Sequence, residues 1–332
     1  MGRVQIEEKR MKNKKKMRGT EKRSLVMIPV AVVLFAYVLS VVAVLGWGFL
    51  TSLKCVTDFT DFGNVIGLPD LSIEDTAYTL AFGNYIDVFA SFGFTVTSPS
   101  YVTIWGVHEG VRRGVTFFDL LFNSFMLAGL GVFINVFTRM TVAYMCAKYK
   151  YKFSKILYTI VFVLMILPVV GTDASALVIQ KTLGLYDNWV GMVITKIGFG
   201  GLYFLIFHAY FETLPNDYFE AAELDGASQL TCYLKIAIPL SSKIFSTVFL
   251  ILFIESWNNY QTSLMYFPTH PTLAYGIYRM SQMTQGGEVG SRFSGIPVRV
   301  AGCMILALPV VILFSFFSDK LLGNLTMGGV KG

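Results

Sequence analysis

The chain has 332 residues and a formal net charge of +6, yet only 14% of its residues are charged and 54% are hydrophobic, with 29 phenylalanines among them. Soluble domains carry about 25% charged residues, so composition excludes an ordinary water-soluble globule and points to lipid as the solvent. The basic excess is concentrated at the N-terminus, where it reads as a topology signal rather than as a nucleic-acid site.

Residues 1–24 form a basic arm with ten Lys and Arg, from Arg3 to Arg23. A crossing needs about 20 mostly apolar residues to span roughly 30 Å, and six stretches qualify: Leu25–Leu50, Phe117–Ala147, Ile156–Ile179, Trp189–Phe211, Ile244–Phe267 and Val298–Leu322. The expected fold is therefore an all-α integral membrane protein with six transmembrane helices over residues 25–322. The first stretch is too long for a signal-peptide core and lacks a small-residue cleavage site, so it is read as an uncleaved span. Lys148, Lys150, Lys152 and Lys155 between the second and third spans contrast with Lys181 alone in 180–188. That bias puts both termini and the 213–243 loop in the cytoplasm, and puts 51–116 and 268–297 outside.

In the external 51–116 segment, "FGFTVTSPSYVTIW" alternates as a strand pair around Ser98-Pro99, which suggests a small external cap. Its acidic residues, among them Asp58, Asp70 and Asp87, suit a solvated lid or a docking surface. Pro168 and Pro309 fall mid-span and predict kinks, while Gly129 and Gly131 suit close helix packing. The 268–297 segment is rich in breakers, with Gly286, Gly287 and Gly290 at its tip, and reads as a flexible connector or a recognition loop. The four cysteines are scattered and suggest neither a disulfide framework nor a zinc site, and the three histidines are too far apart for a metal centre.

The cytoplasmic stretch "YFEAAELDGASQLTCYLKIAIPL" at 218–240 is polar between two greasy spans. Pro215 ends the preceding helix; Asp217 with Glu220 has capping-box spacing; the helix is expected to run to Asp225, with Gly226 at the permissive position after it. A second short helix is expected from about Ser228, closed by Pro239.

Glu220, Ala221, Ala222, Gly226, Ile236, Ile238 and Pro239 resemble the E-A-A-x3-G-x9-I-x-L-P loop that marks the permease subunits of bacterial ATP-binding-cassette importers. "LFNSFMLAG" at 121–129, "SWNNYQTSLMYF" at 256–267, "TLAYGI" at 272–277 and the final "NLTMGGVKG" are similar to the second permease of maltose-type carbohydrate importers. The resemblance covers most of the chain. Ser263 stands where Pro is common, and Ile238 replaces a Leu. It implies a type I importer permease core in which Glu220, Ala221, Ala222, Leu224, Asp225, Gly226, Ile236 and Pro239 form the coupling element seated on an ATPase. It also implies that the 323–332 tail, with Thr326, Gly328, Gly329 and Lys331, reaches the ATPase interface.

The implied partners are two ATPase subunits, a second homologous permease and an extracytoplasmic solute-binding protein. This chain binds no cofactor on that reading, and ATP with magnesium belongs to the partners. Gly323 and Gly328 have P-loop glycine spacing, but Gly329 and Val330 stand in place of Lys and Ser/Thr, so the phosphate-holding residues are missing. The chain is accordingly expected to be a transport subunit rather than an enzyme.

Polar residues within spans are costly and are site candidates: Asn123, Asn135, Arg139, Asp173, Glu255, Trp257 and Asn258. Trp257 and Asn258, with Asn123, are the candidates for carbohydrate contact. A polyol of the glycerol-phosphate kind is the alternative solute. A gradient-driven secondary transporter would show inverted repeats and no ATPase handle, and a membrane enzyme would show a convergent nucleophile or metal cluster, which the sequence lacks.

Overall fold

The computed structural model describes residues 2–60, 63–70, 82–149, 151–167, 171–283 and 295–322. Among the described residues, four helical stretches are long and apolar enough to cross a membrane: Met27–Ser52, Phe117–Lys148, Gln229–Trp257 and Ile296–Phe317. They overlap the first, second, fifth and sixth expected spans; the fifth is shifted, since its helix starts at Gln229 and ends at Trp257, before the separate helix Gln261–Tyr266. The chain divides into two compact units, Met1–Asn84 and Tyr85–Gly332.

In the first unit, α1 (Gly2–Ser52) runs unbroken from the basic arm through the first span, and α2 (Val56–Thr60) follows. Beyond the span the chain closes on two buried charged side chains. Lys54 Nζ donates to the Asn64 carbonyl at 2.6 Å, and the Asp58 carboxylate accepts from Asn64 Nδ2 at 3.0 Å and from the Asp70 N–H at 3.1 Å. Both residues are only 1% exposed. Asp58 therefore belongs to an internal network, not to the solvated acidic surface its sequence position suggests. Buried charge is tolerated where hydrogen bonds replace its hydration, and these bonds do so.

The second unit continues from α3 (Phe82–Ser91) into a hairpin. β1 (Phe94–Thr97) pairs antiparallel with β4 (Arg112–Val115), and β2 (Tyr101–Thr103) with β3 (Gly106–His108). The predicted strands exist, but β1 and β2 are not each other's partners. Ser98-Pro99 interrupts one arm of a single nested hairpin whose turn is Ile104-Trp105. Tyr101 hydroxyl donates to the Tyr186 carbonyl at 3.0 Å, and the Ile104 N–H donates to the Thr182 carbonyl at 2.9 Å.

The second span is α4 (Phe117–Ser124), a π-helical turn at Phe125–Leu130 and α5 (Gly131–Lys148). On α5, Val132, Val136, Met140, Ala143 and Tyr144 recur at helical spacing and are buried. Phe204, Phe207 and Phe211, at i, i+3 and i+7 of α9 (Leu202–Thr213), are fully buried in the same core. Lipid is as apolar as these side chains, so close packing rather than exclusion from water holds them. Gly131 is buried against Met192, as expected for a packing glycine, whereas Gly129 faces open space.

The third and fourth expected spans are not single helices. The third is α6 (Lys152–Ile166) followed by α7 (Thr172–Thr182), with a left-handed Gly171 before the second piece. Pro168 lies outside the described residues. The fourth is α8 (Trp189–Lys196) and α9, broken at Ile197–Gly201. Gly198, Gly200 and Gly201 in five residues disfavour a continuous helix, and Gly201 has φ +92°.

After α9 come α10 (Asp217–Leu224), α11 (Gln229–Cys232), a second π turn at Tyr233–Ala237, α12 (Ile238–Trp257) and α13 (Gln261–Tyr266). The described part of the 268–297 segment, residues 268–283 and 295–297, carries more regular structure than its breakers suggest. It holds α14 (Leu273–Met283), tied to α4 by Asn123 Nδ2 donating to the Pro271 carbonyl at 3.0 Å and by the Leu273 N–H donating to Ser124 Oγ at 2.8 Å. Its glycine-rich tip, including Gly286, Gly287 and Gly290, lies outside the described residues. The last helix, α15 (Ile296–Leu322), contains Pro309 without interruption.

Replacing Ser124 with Ala strands the buried Leu273 N–H, so Ser124→Ala is expected to lower unfolding free energy by about 1–3 kcal/mol. Thermal unfolding of the detergent-solubilised protein measures it, and an unchanged Tm contradicts the tie between α4 and α14.

Candidate functional site

The polar insert at 218–240 folds as a helical turn whose boundaries follow from identifiable backbone bonds. α10 begins at Asp217 itself, one residue earlier than expected, with Asn216 rather than Asp217 at the N-cap position. Asn216 makes no cap bond, because its side-chain oxygen accepts from Lys148 Nζ at 3.0 Å. The same ammonium donates to the Leu214 carbonyl at 2.8 Å. The Asp217–Glu220 capping box does not form. Both carboxylates still sit in the first turn, where the helix dipole favours negative charge. The Glu220 side chain is exposed and has no hydrogen bond or ion pair among the described residues.

At the other end the sequence signal holds. Gly226 has φ +81°; its N–H donates to the Glu223 carbonyl at 3.0 Å, and the Ala227 N–H to the Ala222 carbonyl at 2.9 Å. These are the two bonds of a Schellman motif, and Ala222 and Ala227 pack against the same core. A Cβ at Gly226 would meet nothing within 4 Å. The glycine is therefore needed for its backbone angle and not for space within this chain.

Ser228 caps α11, accepting from the Thr231 N–H at 3.2 Å. Pro239 does not close this second helix. It lies in the first turn of α12, and the helix runs on from Gln229 to Trp257 through the π turn Tyr233–Ala237. A proline in an α-helix clashes with the carbonyl four residues back. The wider turn ahead of Pro239, closed by the Ile238 N–H on the Tyr233 carbonyl, lets the chain continue.

An aromatic cluster joins this turn to the end of α5. Phe219, 9% exposed, packs near Tyr144, with centroids 6.0 Å apart; Tyr144 also meets Phe211 at 5.3 Å and Tyr233 at 4.9 Å. Lys148 Nζ sits 4.8 Å from the Phe219 ring centre, and the Thr141 and Tyr233 hydroxyls are 2.6 Å apart. The opposite side of the turn is bare: Tyr218, Leu224 and Leu230 are exposed, Leu224 by 90%. Ala221, Asp225 and Pro239 are exposed and Ile236 half-buried. One face is fixed to the membrane core while the other presents unpartnered apolar side chains.

A second feature lies farther along α5. Val132, Asn135 and Arg139, at i, i+3 and i+7, line a cavity of about 210 Å³. Leu252, Glu255, Ser256 and Asn259, again at helical spacing along and just beyond α12, form the facing wall, and Lys196 and Thr262 complete it. The broken fourth span borders this cavity. Asn135 Nδ2 donates to the Lys196 carbonyl at 2.9 Å and Thr138 Oγ1 to the Gly198 carbonyl at 3.0 Å. Arg139 Nε is buried without a hydrogen-bond partner.

Asn135, Arg139 and Glu255, polar residues noted within apolar stretches, are thus brought together. Lys196 escaped that reading, although a cation in an apolar stretch carries the same signal. The three residues chosen for solute contact line none of this cavity. Trp257 is 1% exposed, and its indole donates to the Leu306 carbonyl at 3.0 Å. Asn258 Nδ2 donates to the Ile254 carbonyl at 2.9 Å, closing the end of α12. Asn123 is the tie to Pro271. Thr326, Gly328, Gly329 and Lys331 lie outside the described residues.

Residues 139–326 match the model of a family described as "Binding-protein-dependent transport system inner membrane component". The chain is 25% identical over 235 residues to the trehalose transport system permease protein SugB of Mycobacterium tuberculosis, covering 70% of this chain and 84% of that one. It is 26% identical over 215 residues to the sulfoquinovosyl glycerol transport system permease protein SmoH of Agrobacterium fabrum, covering 64% and 73%. Its fold is similar to a chain in the crystal structure of a bacterial ABC transporter involved in the import of the acidic polysaccharide alginate, with a TM-score of 0.64, 20% identity, and 89% and 96% of the two chains covered.

Removing the aromatic link is expected to cost more than removing its exposed neighbour: Phe219→Ala about 3 kcal/mol of unfolding free energy, Tyr218→Ala within about 0.5 kcal/mol. At Gly226 the backbone angle sets the order, so Gly226→Val should destabilise by about 1–2 kcal/mol more than Gly226→Asn. Thermal unfolding of the four purified variants checks both orders; equal losses at 218 and 219, or at the two Gly226 variants, contradict the geometry.

Proposed function

The chain belongs to the family of binding-protein-dependent transport system inner membrane components, and on that premise we propose that it forms half of the transmembrane pathway of an ABC importer for a carbohydrate, an oligosaccharide in the first instance. The relatives named for trehalose and sulfoquinovosyl glycerol transport support a carbohydrate cargo. A polyol of the glycerol-phosphate kind is the alternative.

The observation that carries the reading is the two-faced turn at 217–232. Phe219 fastens it to Tyr144 of the second span, while Leu224 and Tyr218 project outward and the Glu220 side chain has no partner among the described residues. An element so arranged transmits movement from a docked neighbour to the membrane helices. Each of two ATPase subunits takes one such turn, one from this chain and one from a second, homologous permease. Closure of the ATPase pair on ATP pulls the turns together and tips the pathway toward an external solute-binding protein; release reverses it. ATP and magnesium act on the ATPase subunits alone. The excess of Lys and Arg at the N-terminus and at 148–155 supports cytoplasmic termini in a bacterial plasma membrane. The tail residues Thr326, Gly328, Gly329 and Lys331 extend this contact toward the ATPase interface.

Purification of the tagged chain from its native membrane in mild detergent tests the proposal. Wild type should carry an ATPase subunit and a second permease. Leu224→Asp, on a residue with no packing role in this chain, should keep the wild-type Tm and the second permease, lose the ATPase, and lower uptake at least tenfold. Wild type that brings down no ATPase removes the importer reading; Leu224→Asp that retains it removes the turn as the contact.

A further inference from the structure

We propose that the cavity between α5, α8 and α12 is a solute subsite that selects a sugar bearing an anionic group. The inference rests on the importer reading and adds the charge of the cargo. Two cationic side chains, Arg139 and Lys196, reach this cavity against one carboxylate, Glu255. No ion pair joins any of the three among the described residues. Side chains charged at this depth are costly unless paired, and sequence offers no local counterion for the second cation. An incoming oxyanion supplies it.

The details favour a ligand over a packing role. Arg139 Nε is buried and unpartnered, and a guanidinium with free N–H groups suits the two oxygens of a carboxylate, sulfonate or phosphate. The Lys196 stem lies over Gly131, where a Cβ would come within 3.5 Å of Lys196 Cγ; a larger residue at 131 would displace it. The Lys196 carbonyl at the helix break accepts from Asn135, and the Lys196 ammonium makes no hydrogen bond or ion pair among the described residues. Around the charges the lining is hydroxyl and amide: Ser256, Asn259 and Thr262. Such groups exchange hydrogen bonds with sugar hydroxyls, and Glu255 accepts from them while repelling an anion from its own end. The anionic group is thereby directed to Arg139 and Lys196. At about 210 Å³ the cavity is below the roughly 300–1,000 Å³ of sites for drug-sized ligands, so a longer solute occupies it one ring at a time.

Equilibrium dialysis of radiolabelled digalacturonate and of uncharged galactobiose against the purified permease–ATPase complex decides the matter. The acid should bind at least tenfold more tightly than the neutral sugar, and more weakly as salt rises. Arg139→Gln combined with Lys196→Gln should lower its affinity at least tenfold while the complex assembles as before. Glu255→Gln should raise the acid's affinity severalfold, a change of sign that loss of packing would not produce. Equal binding of the two sugars by wild type, unaltered acid binding in the double variant, or failure of the assembled complex to bind the acid each overturns the proposal; in the last case a neighbouring chain meets the charges instead. Failure of the importer reading is separately visible as a chain that purifies without an ATPase, and the two sugars are then compared on the chain alone with the same expected order.

Discussion

A carbonyl exposed to hydrocarbon must find a donor within the protein, and this requirement organises the second unit. The fourth apolar stretch breaks at Ile197–Gly201, and two of the carbonyls at that break are met by Asn135 and Thr138 of α5. One face of α5 is therefore polar at mid-length, while the face beside it, with Val132 on their shared edge, carries the aliphatic row that meets the phenylalanines of α9. The helix serves as the common wall of the cavity, the packed core and, at its far end, the aromatic cluster. A continuous fourth helix would need neither Asn135 nor the cavity beside it.

Much of this arrangement was legible from residue types. The first, second and sixth apolar stretches are helical throughout their described residues, and Gly226 and Ser228 mark turn and cap as their chemistry requires. The misreadings have local causes. Hydropathy counts apolar residues without registering the three glycines in 197–201, so a broken segment scores as a span. Asp217, expected as the cap, is already inside α10, and the side chain of Asn216 before it is taken by Lys148, a residue 68 positions earlier that no local pattern reveals. Alternation along 94–104 shows that strands form but not which edges meet, because side-chain period fixes faces and leaves pairing open.

The polar residues divide by a similar logic. Asn135, Arg139 and Glu255 stood out against apolar neighbours and do converge, whereas Trp257 attracted notice as a sugar platform and is instead committed to Leu306. A residue's type gives the chemistry it can offer; whether the offer is already taken depends on contacts distant in sequence. Asp58 makes the same point in the first unit, where an acid in a long loop is the centre of a buried network.

The π turn at Tyr233–Ala237 has a geometric consequence of its own. An α-helix advances about 1.5 Å and turns about 100° per residue, and a π turn accommodates one residue beyond that register. The azimuth of the α10–α11 pair around the axis of α12 is therefore set by a single surplus residue, which also lets Pro239 stand inside a continuous helix. The turn works as a phase adjuster between a rigid rod and the knob at its end: the rod's own faces can be dictated by lipid and neighbouring helices, while the direction in which Leu224 points is chosen independently of them.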